Sequence, residues 1–406
     1  MAVKHGFLAD YFEGFGYKIL KPVEIDPHVS HEHEFNGING FKEILGSEKQ
    51  KLPCRVIYLT DDEEDIIEDI VNLTWYDARE NHPTRTEYRL YYPESDCFLK
   101  AKPEDLLFVC KNLNSDEPAL TMFISKAGET ISNQLSWLFG ISTDAITTTG
   151  QTEKLCNENS LNYFSNLILS KIGILSMEQD DSLLDKILEE FPHGFPKTVD
   201  FSEFSRSFVT DISPYDNPDV ALIEYLDYEE HLFRLFEKYF VEKKLKSGFN
   251  DVEDFIRYSL SVQNRRKSRA GYALENHLKF IFDAMEIRYS YNKITENKSR
   301  PDFIFPDISN YRDTEFPFLN LTMLGVKTTC KDRWRQVLTE AEKISQKHLC
   351  TLEPGISEAQ TDEMMSHQLQ LVVPAPILST FNTKQQAWLA TLSDFISVVG
   401  ERQNIN

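Results

Sequence analysis

Val326-Lys327-Thr328-Thr329-Cys330-Lys331-Asp332-Arg333-Trp334-Arg335 decides how this chain reads, together with Pro301-Asp302 before it and Glu340 after it. Phe318 to Thr328 is rich in Leu, Val and Thr and ends in charge, which predicts a strand. Asp332 to His348 repeats apolar residues at helical spacing, which predicts a helix opening over Lys331 to Arg335. Lys327 then sits at a strand end, and Arg333, Gln336 and Glu340 share one face of the helix.

Two carboxylates, Asp302 and Glu340, brought near one lysine make a recognisable chemical set. Hard oxygen ligands suit Mg²⁺, which one or two carboxylates can hold together with phosphate oxygens and water. A lysine beside such an ion would orient the attacking water or neutralise charge on the transition state. The competing reading is a surface helix with solvated charges at its start, because a Pro-Asp and a distant Lys recur together by chance.

A longer set of stretches weighs against chance: Asn264-Arg265-Arg266-Lys267-Ser268-Arg269-Ala270-Gly271, Ile294-Thr295-Glu296-Asn297, Pro301-Asp302-Phe303-Ile304-Phe305-Pro306, Asp313-Thr314-Glu315-Phe316-Pro317, Lys327 to Gln336, and Leu371-Val372-Val373-Pro374. From about Ser261 to Pro374 the chain resembles the catalytic domain of EcoRII-type restriction endonucleases, a branch of the PD-(D/E)XK nucleases. The resemblance implies an α/β catalytic domain with a mixed central sheet flanked by helices, and Mg²⁺ as cofactor.

It also implies roles for individual residues. Asp302 and Glu340 match the metal-binding carboxylates and Lys327 the catalytic lysine. The generic motif places an acid two residues before the lysine; here Gly325 stands there, and the family takes its ligand from the following helix. Glu275 matches a further carboxylate near the metals, and Tyr311 a tyrosine beside the active site, although a surface aromatic fits Tyr311 as well. His277 and His348 match no family role and read as structural histidines.

Lys331, Asp332 and Arg333 sit where the family reads G-C pairs. Lys or Arg can donate to G O6 and N7, and Asp can accept from C N4. Asn264, Arg265 and Arg266 match a second DNA-contacting run, with Lys267 and Arg269 as phosphate clamps; a solvated helix end would look similar. Relatives flip the central base pair into a pocket with an aromatic and an arginine. Tyr228 is the nearest candidate, but Leu222 to Asp227 holds no arginine.

Composition bounds the rest. At 406 residues the chain can form more than one domain, and 41% hydrophobic with 12% aromatic residues fits a folded protein. No apolar run approaches the roughly 18 residues of a membrane helix, and the start lacks a signal-peptide core, so a soluble, cytoplasmic protein is expected. Cysteines at 54, 97, 110, 156, 330 and 350 form no C-x-x-C pair and read as reduced thiols, with Cys330 packed behind the strand. The net charge of -22 argues against nucleic acid as a partner. Its distribution argues the other way: acid gathers in Asp61 to Asp65 and Glu178 to Glu190, base in Arg265 to Arg269 and Lys327 to Arg335.

The N-terminal region, to about Ile141, reads as mostly strand: Arg55 to Thr60 running into an acidic helix, Thr86 to Pro93, Leu106 to Cys110 and Leu120 to Ile124, closed by a helix over Gln134 to Gly140. Arg79, Arg85, Tyr88 and Arg89 interleave base with aromatics, which suits DNA contacts. They suit equally a half-buried sheet whose arginines pair with carboxylates. Family members with an extra N-terminal domain use it as a DNA-binding effector built on a pseudobarrel, and that role carries over here only through the resemblance.

Ser142 to Thr210 reads as a connector with helices over Leu161 to Ile174 and Leu183 to Phe191, and Pro192 to Pro196 as a breaker. The expected domains are 1–145 for an N-terminal effector or DNA-binding domain, 146–217 for a helical connector, and 218–406 for the catalytic domain. Pro218 to Lys244 follows as an amphipathic helix whose apolar stripe could be core or a dimer seam. The function expected is Mg²⁺-dependent cleavage of double-stranded DNA at a short palindromic, CCWGG-like site by a homodimer. The rival is a DNA-binding protein whose nuclease fold has lost activity.

Overall fold

A computed structural model describes residues 6–113, 118–141, 151–154, 161–174 and 181–403; the side chain of Asp332, and Cys156 entirely, lie outside the described set. The chain divides into a unit built mainly from Lys4–Ser176 and a second built mainly from Met177–Pro354 and Glu358–Asn406.

The first unit is a sheet of eight strands: β1 (Phe12–Ile19), β2 (Glu34–Asn36), β3 (Gln50–Leu59), β4 (Ile67–Asp77), β5 (Tyr88–Tyr91), β6 (Leu106–Asn112), β7 (Leu120–Ser125) and β8 (Gln151–Lys154). Their order is β2-β5-β4-β3-β7-β6-β1-β8, so β2 and β8 are edges and the sheet curls without closing. Only β3 and β7 run parallel among its pairs of described strands. Side chains alternate across a strand, and both faces are covered here. Val56, Tyr58, Leu107 and Val109 enter one apolar cluster, while Ile57, Leu59, Leu106, Phe108 and Cys110 enter the other. That is why Leu106 to Cys110 is an unbroken apolar run.

Asp61 to Asp65 forms no acidic helix of any length; a single 3-10 turn, Glu63–Asp65, leads directly into β4. The alternation of Leu73 and Trp75, both buried, with more exposed partners suits the long antiparallel ladder from Gln50↔Trp75 to Tyr58↔Ile67. The closing helix is α1 (Thr130–Leu138), with Gly140 at φ 73° just beyond it, the left-handed cap that glycine supplies without strain. Helix α2 (Tyr163–Lys171) packs Ile168 and Leu169 into the second cluster.

The second unit begins with four helices, α3 (Asp181–Glu190), α4 (Thr198–Arg206), α5 (Pro218–Ser247) and α6 (Val252–Ala284). Asn217 caps α5 by accepting from the Val220 amide at 3.0 Å, with Pro218 at the first helical position, and Asp251 caps α6. The apolar stripe of α5 is core: Leu232, Phe233 and Phe236 pack with Ile187 of α3 and Phe201 of α4. The connector helix expected over Leu183 to Phe191 and α4, which was not expected, therefore share the aromatic core of the second unit, and the stripe is core rather than an open dimer seam.

A five-stranded mixed sheet follows, ordered β13-β12-β11-β10-β9. Its strands are β9 (Ser290–Tyr291), β10 (Phe303–Phe305), β11 (Thr322–Lys327), β12 (Lys347–Thr351) and β13 (Leu369–Val372). β10 is antiparallel to β9 and β11, whereas β11, β12 and β13 run parallel. Helices α7 (Trp334–Leu338), α8 (Glu358–Ser366) and α9 (Leu392–Gln403) complete the unit.

Two expectations around the deciding stretch change. Phe318–Asn320 is a 3-10 turn, so the strand begins only at Thr322. The helix expected over Asp332 to His348 is a 3-10 turn, Lys331–Arg333, then the five residues of α7. Thr339 to Lys343 are adequate helix formers, but Lys347–Thr351 is drawn into the sheet between β11 and β13, which forces the chain to turn over Glu340 to Gln346. Tertiary pairing overrides local propensity here.

Candidate active site

Asp302 enters β10 and Lys327 leaves β11, the neighbouring antiparallel strand, so sheet pairing alone brings them side by side. The Lys327 ammonium donates to Asp302 Oδ2 at 3.1 Å, and the Val326 amide donates to the same oxygen at 2.6 Å. Both side chains are 19% exposed, a partly dry setting in which charge interactions are stronger than in water.

Gly325 and Lys327 lie on the same face of β11. A Cβ on Gly325 would stand 2.8 Å from Val337 Cγ2 and 3.1 Å from Val337 Cγ1. Helix α7 thus presses on β11 so closely that no side chain fits two residues before the lysine. The second carboxylate has to come from elsewhere, and Glu340 supplies it, three residues past Val337 in the turn that ends α7. Glu340 is not on the helix, so Arg333, Gln336 and Glu340 do not form the single helical face that their spacing predicts.

Burial raises the Glu340 carboxyl to about 7, the Asp302 charge adds to the rise, and Lys327 and Lys347 oppose it. Glu340 Oε2 is buried and has no hydrogen-bond partner among the described residues. Glu275 on α6 also lies in this field. Burial raises its pKa, a hydrogen bond donated by the Tyr291 hydroxyl lowers it, and Asp302 raises it again. The Lys279 ammonium lies 4.2 Å from the Tyr291 ring centroid.

Tyr311 is 1% exposed, not a surface aromatic. Its hydroxyl donates to Glu296 Oε2 at 2.6 Å and accepts from the Lys343 amide at 3.3 Å, while Lys343 Nζ donates to the Tyr311 carbonyl at 2.8 Å. It therefore holds the loop that follows Glu340.

Among the described residues no group of three His, Cys, Asp or Glu side chains forms a ready metal cage. The donor set fits a more open arrangement, in which Asp302 and Glu340 would hold a divalent cation and phosphate and water would complete the shell. The buried, unpartnered Glu340 oxygen beside a second carboxylate is the observation that fits such a cation. Bound there, Mg²⁺ would polarise a phosphate oxygen and acidify a water.

Comparison with known proteins bears on this geometry. Residues 233–396 match the family model described as EcoRII C terminal. Over 228 residues the chain is 42% identical to type II restriction enzyme EcoRII from Escherichia coli, a stretch that covers 56% of this chain and 56% of that protein. This segment is similar to the EcoRII C-terminal domain. The chain matches little more than half the length of that curated relative. Among solved structures it is similar to metal-depleted Ecl18kI in complex with uncleaved, modified DNA, with a TM-score of 0.45 and 19% identity over 55% of this chain and 84% of that one. It is also similar to the PspGI endonuclease in a substrate DNA complex, with a TM-score of 0.43 and 15% identity over 52% of this chain and 95% of that one.

Within the second unit, the other expected residues fall into different settings. Lys331 takes a positive φ of 32°, and its carbonyl accepts from Gln360 Nε2 at 2.9 Å. Arg333 is exposed, with its guanidinium 3.4 Å from Thr329 Oγ1. The Asp332 side chain is outside the described set. Asn264 and Lys267 are exposed on α6, and Arg265 lies over the Phe195 ring at 4.4 Å. Arg266 pairs with Glu237 at 2.6 Å. Arg269 is 9% exposed and pairs with Glu229 and Glu230, so its guanidinium is engaged inside the helical layer rather than presented for a phosphate. Tyr228 is likewise 9% exposed and stacks on Phe208 at 5.4 Å, inside the aromatic core.

His277 and His348 are both buried. His277 Nε2 meets Glu229 Oε2 at 3.0 Å with both side chains fully buried. His348 is pushed down to about 4 by burial and then by Arg402. The spacing argument missed Tyr291, Lys343 and Lys347. Lys347 opens the run Lys347-His348-Leu349-Cys350, and a lysine leading into a buried strand was the one signal that could have drawn notice.

In the first unit, two of the arginines pair with a carboxylate. Glu87 pairs with both Arg79 and Arg89, and Arg89 also donates to the Asn36 side chain. Tyr88 stacks on Trp75 at 5.1 Å, and Arg85 is exposed on the chain leading into β5.

Proposed function

We propose that this protein is a Mg²⁺-dependent type II restriction endonuclease that hydrolyses phosphodiester bonds in double-stranded DNA at a short palindromic site. The observation that carries the reading is the convergence of Asp302, Lys327 and Glu340, with one Glu340 carboxylate oxygen buried and without a hydrogen-bond partner among the described residues. Asp302 and Glu340 hold the ion. Lys327, already 3.1 Å from Asp302, supplies positive charge where the phosphate accumulates negative charge.

The resemblance in Lys331, Asp332 and Arg333 supports a CCWGG-like site, with cation to G and carboxylate to C. A palindrome calls for a symmetric pair of subunits, one for each strand. In this reading the N-terminal unit binds DNA as effector or restraint, supported by the cluster of Arg79, Arg85, Tyr88 and Arg89 at one end of its sheet.

The test is to incubate supercoiled DNA with purified protein and Mg²⁺ and to sequence the product ends. Discrete ends at one short palindrome are expected, and their disappearance in Lys327→Ala. Random nicking that is the same in wild type and Lys327→Ala would defeat the reading. Specific binding in Ca²⁺ without cutting in Mg²⁺ would replace it with a DNA-binding protein that has lost cleavage.

A further inference from the structure

The turn that carries Glu340 has an unusual support. Ala341, the next residue, sits at φ 47°, a left-handed conformation that costs a non-glycine residue of order 1–3 kcal/mol and persists only where its surroundings enforce it. Beside the Ile344 amide, which donates to the Ala341 carbonyl at 2.9 Å, the side chain that braces this turn is that of Lys347. It opens β12, is 7% exposed, and donates through Nζ to the Ile344 carbonyl at 2.8 Å and the Ala341 carbonyl at 3.3 Å.

A buried lysine with no bonded carboxylate is costly. An ammonium has three donors, and here two go to carbonyls of one short turn. Of the carboxylates whose charge acts on it, Glu340, Glu342 and Glu296, Glu340 acts most strongly, and Lys347 acts on Glu340 in return. A hydrophobic residue at this position would complete the strand equally well. The lysine is explained by what it holds in place.

We propose that Lys347 is a positioning residue for the Glu340 carboxylate. It locks the Ala341–Ile344 turn from beneath and so aims Glu340 toward Asp302 and Lys327. This rests on the metal-binding reading of Asp302 and Glu340, but it concerns a residue whose ammonium donates to backbone carbonyls rather than to either carboxylate.

The experiment is Mn²⁺ binding to the full chain without DNA, read from the electron paramagnetic resonance signal of free Mn²⁺, for wild type, Glu340→Gln, Lys347→Met, Lys347→Gln and Lys347→Arg. Circular dichroism and thermal midpoints check the fold. Lys347→Met should weaken Mn²⁺ binding about tenfold, as Glu340→Gln does, and adding Glu340→Gln to it should cost little more, the non-additivity of residues acting through one group. Lys347→Arg should recover most of the affinity, because it restores charge and donors.

Should Lys347→Met not fold, Lys347→Gln, which keeps the donors and loses the charge, carries the same expectation at smaller size. Wild-type Mn²⁺ affinity in folded Lys347→Met or Lys347→Gln, alongside loss in Glu340→Gln, would overturn the proposal. Lys347-dependent Mn²⁺ binding in a protein that never cuts DNA would uphold it and overturn the nuclease reading alone. Absence of Mn²⁺ binding in the wild type would overturn both.

Discussion

In the N-terminal hairpin, Glu87 satisfies two arginines at once and Arg55 meets Glu68 at 2.8 Å. In the C-terminal sheet, by contrast, Glu340 keeps a buried oxygen without a partner although Lys327 and Lys347 act on it, and Asp302 pushes its pKa further up. Both regions place acidic and basic side chains close together. Charge balanced within reach of water adds little and asks for nothing more. Charge left unbalanced away from water is costly and persists where a ligand completes it.

The contrast breaks most severely at Lys327. If its ammonium serves the reaction, Lys327→Ala should lower the cleavage rate about 10²- to 10³-fold, the loss typical of one preorganised charge-stabilising donor. Its fold should survive, since the lysine is a strand-end residue at the edge of the core. Rate and thermal midpoint measured on the same preparation separate the two. A variant that cuts at near wild-type rate would place Lys327 with the balanced pairs of the N-terminal unit.

Gly325 tests the packing behind the unbalanced cluster. Gly325→Ala forces a methyl into the space held by Val337, and overpacking of this kind costs about 1–3 kcal/mol. Chemical denaturation should show that loss, and adding Val337→Ala should return part of it. Gly325→Glu, which restores the generic nuclease spacing, should be worse than alanine, because a larger side chain meets the same helix. Full stability in Gly325→Ala would mean that α7 does not press on β11 as described.

The third test uses pH in the absence of metal. Glu340 titrates at about 7 in the folded chain against an ordinary value of 4.5, so between these values the folded chain keeps a proton that the unfolded chain has lost. The stability that this contributes is present at low pH and disappears as pH rises through about 7. Thermal midpoints in chelator should therefore decline from pH about 5 to about 8, and Glu340→Gln should flatten the decline. Glu275, raised in the same direction by burial, leaves a residual slope. Added Mg²⁺ should reverse the trend for wild type alone. An unchanged slope in Glu340→Gln would show that another group titrates.

How much of this was legible in the sequence follows from which forces act locally. The strand ends at Asp302 and Lys327 were readable, because apolar runs stop at charged residues there. The long helix after Lys331 was misread, because parallel pairing of Lys347–Thr351 between two distant strands outweighs the helical spacing of the intervening residues. Glu340 was found by resemblance, and its position in a turn rather than on a helix required the fold. The basic run Asn264 to Arg269 looked like one DNA-facing surface; on α6 the helical period spreads it, so Asn264 and Lys267 face out while Arg269 turns inward to Glu229 and Glu230. Lys347 carried almost no signal, because its partners are backbone carbonyls that no sequence pattern marks.

The smallest expected effect lies in the balanced region and decides whether it belongs to DNA binding at all. Glu87→Gln releases Arg79 and Arg89 from their shared carboxylate while Arg89 keeps its contact with Asn36. Exposed pairs of this kind contribute about 0–1 kcal/mol each, so the thermal midpoint should move little. If the β4–β5 hairpin faces phosphates, the released arginines should strengthen binding of the full chain to duplex DNA and steepen its salt dependence by about one counterion per arginine engaged. The reading is titration of a fluorescent duplex over a range of salt, with Arg85→Ala as the opposing change, expected to make the slope shallower. A slope unaffected by either substitution would leave the hairpin as a sheet margin whose arginines serve only their carboxylates, and would move any DNA contact of this unit to another face.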